Sequence, residues 1–213
     1  MNRVPNPLID QLASEMEPVK VLKTRDGLAL VALAAVATVL LVEYFHGLWL
    51  GAMIGEASII FYIAHGLILL MGLASATSVL AMARPQVGSH YDGARWTMAM
   101  VGVIPIVAVS TIVAGSGAAH AMADPYGVDC MLASFAASLV TGAALVFWLR
   151  RGAPVSLNTA GWHTGVAAGA LGTVAYGMSC PLDGLAHIGV WHIAPIVIAA
   201  MVGRLVVPKL VRW

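Results

Sequence analysis

A thiol, a carboxylate and two imidazoles fall within thirteen residues in the stretch Cys180-Pro181-Leu182-Asp183-Gly184-Leu185-Ala186-His187-Ile188-Gly189-Val190-Trp191-His192. The chain has one other cysteine, Cys130. Two thiols can form a disulfide where the surroundings are oxidising. Left free, they can react with an oxidant or bind a soft metal ion, with imidazole completing the coordination. Cys130, Cys180, His187 and His192 are the candidate metal ligands on this chemistry. A plain disulfide, a pair of buried thiols and an enzymatic thiol site all remain open. No C-x2-C pair occurs, so a shared site must be assembled from separate segments. His187 and His192 are five residues apart, a spacing that places them on different faces of an α-helix. His65 is the deepest histidine expected within an apolar run, and no mate at equal depth is evident, which disfavours haem or quinone binding.

These residues sit in a very apolar chain. Of 213 residues, 60% are hydrophobic and 10% are charged, and the mean hydropathy is +0.89. A soluble domain carries about 25% charged residues, so this chain has too little polar surface to face water all round. The expected fold is all-α: a polytopic bundle of six transmembrane helices preceded by a short N-terminal cytoplasmic amphipathic helix. The six apolar runs lie near 27–46, 58–82, 96–116, 130–149, 159–179 and 188–207. Each holds about 20 residues, enough to cross a hydrocarbon core of about 30 Å. The fifth carries Gly161, Gly165 and Gly169 at the spacing that lets helix backbones approach closely.

Charge placement sets the expected topology. All eleven basic residues (Arg3, Lys20, Lys23, Arg25, Arg84, Arg95, Arg150, Arg151, Arg204, Lys209 and Arg212) fall in the N-terminal segment, the second and fourth loops and the C-terminal end. Basic loops stay in the cytoplasm. Both termini are therefore expected there, and both cysteines on the opposite face. Trp96, Trp148, Trp162 and Trp213 would form the cytoplasmic aromatic belt. The first 26 residues are polar, unlike a secretory signal, and no cleavable leader is expected. The chain divides into a cytoplasmic segment 1–26, a membrane domain 27–207 and a cytoplasmic end 208–213.

Within 1–26, Asn6-Pro7 reads as a helix start. Leu8, Ile9, Leu12, Ala13 and Met16 follow along one stripe, with Asp10, Gln11, Ser14, Glu15 and Glu17 elsewhere, and Pro18 ends or kinks the helix. An acidic-faced amphipathic helix suits a groove on a partner protein better than an anionic membrane surface. Leu8, Ile9, Leu12 and Met16 are the candidate partner-binding residues. No run has a charge near its centre, which disfavours an ion-coupled pump. No phosphate loop, nucleophile elbow or metalloprotease helix occurs, so no enzymatic activity is expected, and nothing points to direct nucleic-acid binding.

The pattern Cys180-Pro181, His187, Trp191-His192, then Val207-Pro208-Lys209-Leu210-Val211-Arg212-Trp213, resembles the NrsF family of integral membrane anti-sigma factors. The opening Leu8-Ile9-x2-Leu12-Ala13-x4-Pro18-Val19-Lys20-x-Leu22 and Cys130 share the resemblance. It implies that the chain sequesters an extracytoplasmic-function (ECF) sigma factor at the bacterial inner membrane. It also implies that Cys130 and Cys180 sense heavy-metal or oxidative stress at the periplasmic face and trigger release. No resident cofactor is implied, only a transient heavy-metal ion at the cysteines. A small membrane thiol oxidoreductase or a metal-ion transporter is the alternative, and a structural subunit of a larger membrane complex is a third.

Overall fold

The computed structural model describes residues 7–15, 22–84, 92–114 and 124–211. Among the described residues the secondary structure is entirely helical. We number the helices α1 (Pro7–Ser14), α2 (Thr24–His46), α3 (Leu50–Ile54), α4 (Ile59–Met82), α5 (Asp92–Val101), α6 (Val103–Ala114), α7 (Gly127–Arg150), α8 (Leu157–Gly177) and α9 (Leu185–Val211). The last begins as an α-turn, passes through a π turn at Ile188–His192 and continues as α-helix from Ala194.

Five segments are long and apolar enough to cross a membrane: Thr24–His46, Ile59–Met82, Ala94–Val113, Gly127–Arg150 and Leu185–Val211. The third of these is broken into α5 and α6 at Gly102, and the sequence gives the reason. Pro105 has no N–H to offer the carbonyl of Val101, so the helix loses a hydrogen bond there. Helix α9 continues through Pro208 to Val211, beyond the expected end of the last apolar run.

The fifth apolar run became α8, which falls short of the hydropathy of the other five because it is rich in Gly, Thr and Ala. It needs less because it lies at the centre, packed against α9, α7, α4 and α2, with nearly every residue from Ala160 to Gly177 buried. At 1.5 Å per residue its 21 residues span about 31 Å. The glycine stripe works as its spacing implied. A Cβ on Gly161 would lie 2.5 Å from the carbonyl oxygen of Gly203, and one on Gly165 would lie 2.1 Å from that of Ala199. The backbones of α8 and α9 therefore touch, and a side chain at either position would force them apart.

Side chains at the bundle exterior, such as Leu33, Leu40, Ile63, Val113, Leu139 and Leu205, are exposed and apolar. In water this would be an apolar surface far beyond what a monomer shows, whereas lipid chains cover it without cost. Trp96 is exposed, but Trp148 is not: it is 1% exposed and donates its Nε1–H to the Leu80 carbonyl at 3.3 Å. Trp148 is a core residue joining α7 to α4 and α2, and Trp162 is partly buried against the core. Trp213 and the basic residues Arg3, Lys20 and Arg212 lie outside the described residues.

Helix α1 is present and carries no buried residue. Asp10 sits in its first turn, favourably placed for the positive end of the helix dipole. Leu8, Ile9 and Leu12 are all exposed. Asn6, Met16 and Pro18 lie outside the described residues.

Candidate functional site

Two thiols, from α7 and the loop after α8, meet the imidazoles at the start of α9 at one end of the bundle. Cys130 lies in the first turn of α7, and Cys180 lies in the loop after α8. The two sulfurs are 3.6 Å apart, as free thiols, and both residues are buried. The Tyr176 hydroxyl lies 3.8 Å from the Cys130 sulfur. Cys180 Sγ is also 3.5 Å from His187 Nε2. The ligand atoms of Cys130, Cys180, His187 and His192 all lie within 4.8 Å of one another, and all four residues are buried. The sequence named all four, and the structure brings them together.

Each residue is positioned by identifiable local structure. Asp124 opens the turn before α7, with Oδ1 accepting from the Tyr126 N–H at 3.0 Å. Its other oxygen, Oδ2, lies 2.6 Å from His187 Nδ1. An ionised carboxylate only accepts, so Nδ1 carries the proton and Nε2 is left facing the sulfur. The loop 180–184 is tied to the start of α4: Ser58 N–H donates to Asp183 Oδ2 at 2.6 Å, and Ser58 Oγ–H donates to the Asp183 carbonyl at 3.0 Å. Ser58 Oγ also caps α4 by accepting from the Phe61 N–H.

The five-residue spacing of His187 and His192 had counted against a shared face. In an α-helix the two would point about 140° apart. The π turn, with hydrogen bonds running from i to i+5, instead brings the fifth residue back over the first, and the two rings have centroids 5.2 Å apart. The expectation that His65 has no mate is also corrected. Its ring lies 5.3 Å from that of His192, because α4 and the π turn of α9 reach the same depth. Its Nδ1 is 3.0 Å from the Phe61 carbonyl. His192 is fully buried.

The π turn is itself wedged in place. A Cβ on Gly127 would lie 2.2 Å from the Trp191 ring, and one on Gly189 would lie 2.3 Å from Ala108 Cβ. Two glycines thus let α9 press against α7 and α6 where the site is built. Cys180 lies outside the apolar helices. The hydrogen bond it shares with Cys130, and then its burial, hold its thiol well above the usual cysteine range.

The residues missed in the sequence are Asp124 as the orienting partner of His187, Tyr176 beside Cys130, and His65 beside His192. Asp124 carried one signal, its place six residues before Cys130 in the same outer segment.

Fold and site together define an all-helical protein with an apolar, membrane-type exterior and a buried thiol–imidazole cluster at one end of the bundle. The family described as Negative regulator of sigma F, NrsF, matches residues 12–213, and the chain belongs to that family. It is also 28% identical over 154 residues to the "Probable anti-sigma-F factor NrsF" of Azospira oryzae, covering 72% of each chain. No solved structure matches the chain. The family is one of anti-sigma factors, a regulatory and not a catalytic class.

Proposed function

We propose that this chain holds an ECF sigma factor at the bacterial inner membrane and releases it when Cys130 and Cys180 meet a soft metal ion or an oxidant. The family assignment across residues 12–213 carries the anti-sigma reading. The convergence of the chain's two cysteines to 3.6 Å supports the sensing part. In the oxidative branch the two thiols become a disulfide, and two protons and two electrons pass to the oxidant. The sulfurs must then close to about 2.05 Å. In the metal branch an ion displaces the thiol protons. Either event repacks α7 against the start of α9.

In this reading α8 is the sixth span, packed against α2, α4, α7 and α9. The basic loops and both termini face the cytoplasm, and the thiol cluster faces the periplasm. Residues 1–26 reach the sigma factor through Leu8, Ile9, Leu12 and Met16, residues 27–207 form the membrane domain, and 208–213 close the cytoplasmic end. A stimulus that favours one of two bundle states by about 5.5 kcal/mol switches nearly the whole population. The burial of both thiols disfavours the thiol oxidoreductase alternative, because exchange with a substrate disulfide needs an exposed sulfur.

The test is transcription from a sigma-dependent promoter in cells carrying Cys130→Ser and Cys180→Ser together. Exposure to cadmium or chromate is expected to induce the parent strain and leave the variant uninduced. Equal induction in both strains would reject the sensing role.

A further inference from the structure

We infer that Cys130, Cys180, His187 and His192 form a complete four-ligand site for one soft divalent cation, zinc(II) or a heavier d10 relative, with Asp124 as its positioning residue. The inference deepens the sensing role proposed above by naming the ion class and two ligands beyond the cysteines.

Four observations carry it. The first is spacing. A tetrahedral ion with metal–sulfur bonds of about 2.3 Å and metal–nitrogen bonds of about 2.0 Å sets its ligand atoms about 3.3–3.8 Å apart. The sulfurs here are 3.6 Å apart, Cys180 Sγ and His187 Nε2 are 3.5 Å apart, and all four ligand atoms fall within 4.8 Å. The longer edges leave room for an ion larger than zinc. The second is orientation. Asp124 holds His187 by Nδ1 and aims Nε2 inward, the carboxylate–histidine–metal arrangement that fixes tautomer and ring. The third is an unanswered polar group. His192 is fully buried, and neither ring nitrogen meets a hydrogen-bond partner among the described residues. Buried polar atoms are rarely left so, and an ion would engage one of these nitrogens. The fourth is charge. Two thiolates and two neutral imidazoles around a divalent ion sum to zero, so the partly exposed Asp124 carboxylate is the one net charge left at the site. A monovalent copper ion would add a second negative charge, and that one would be buried.

Binding is balanced as M2+ plus two thiols and two neutral imidazoles giving the four-coordinate complex and two protons. No electrons move.

The full chain, purified in detergent under reductant and stripped of metal, is titrated with cobalt(II) as a chromophoric probe and then with zinc(II). We expect one ion per chain, tetrahedral cobalt bands with thiolate charge transfer, and displacement by zinc. X-ray absorption of the zinc form should give two sulfurs near about 2.3 Å and two nitrogens near about 2.0 Å. Asp124→Asn should weaken binding about 10–100-fold with the cobalt spectrum unchanged, and Asp124→Glu should restore part of the loss. His187→Gln and His192→Gln should each change the spectrum.

No stoichiometric binding, a shell without nitrogen, or unaltered spectra in both histidine variants would overturn the inference. Should a histidine variant fail to fold, the wild-type absorption spectrum decides alone. Stoichiometric two-sulfur, two-nitrogen binding that leaves the sigma factor captured would sink the metal branch of the proposed function and keep the site. Release that needs the cysteines but not the histidines would do the reverse.

Discussion

Asp124 does two jobs with two oxygens. One starts α7 by holding the Tyr126 N–H, and the other fixes the tautomer of His187. The residue that positions the first thiol therefore also aims the imidazole beside the second. Cys180, held above the usual thiol range by its bond to Cys130 and by burial, enters any metal complex by losing a proton. The sign follows. Lowering the pH favours the thiol and opposes the ion, so affinity should rise with pH by up to about tenfold per pH unit for each proton displaced. Calorimetric titration across neutral pH checks this; affinity independent of pH would mean that no thiol proton is displaced. Serine at either cysteine position should weaken the cobalt charge-transfer band and serine at both should abolish it, since an alkoxide ligand does not form near neutral pH.

At the scale of the element, glycine decides where helices may touch. Gly165 brings α8 against the Ala199 carbonyl of α9, and Gly161 and Gly203 meet reciprocally one turn away. Gly165→Leu cannot be absorbed by rotating a flexible neighbour, because the obstacle is backbone. The variant should lose about 1–3 kcal/mol or more of stability, read as a lower midpoint in thermal or denaturant unfolding in detergent. A midpoint equal to the parent's would show that α8 and α9 are not in backbone contact. Gly127 and Gly189 play the same part around Trp191 and Ala108, where the consequence reaches the site.

Across the whole molecule the two chemically active regions lie on unlike structures. The thiol cluster is enclosed where α7, α8, α9 and α4 meet, and α1 stands with its apolar stripe exposed. A helix of eight residues is marginal alone in water, and in the proposed function the sigma factor supplies the burial that orders it. Leu12→Asp should reduce recovery of the sigma factor with the solubilised protein by tenfold or more, about 1.4 kcal/mol, while cobalt binding at the thiol cluster stays at the parent's level. Undiminished recovery would remove α1 from the partner interface.

Much of this was legible in the sequence because it depends on local composition. Runs of about 20 apolar residues had to become helices, since lipid offers no other partner for backbone groups. The Gly161, Gly165 and Gly169 stripe reported a close helix contact, and all four members of the buried cluster were named from thiol and imidazole chemistry. What the sequence left undecided was placement. Nothing local says that Trp148 packs inward, that α8 is the enclosed helix, or that residues 124, 130, 180 and 192 meet at one site. Helical periodicity set His187 and His192 about 140° apart; only the π turn, held by α6 and α7 packing against it, swings them onto one side. Residue types determined which chemistry was possible, and tertiary packing decided that its parts could meet.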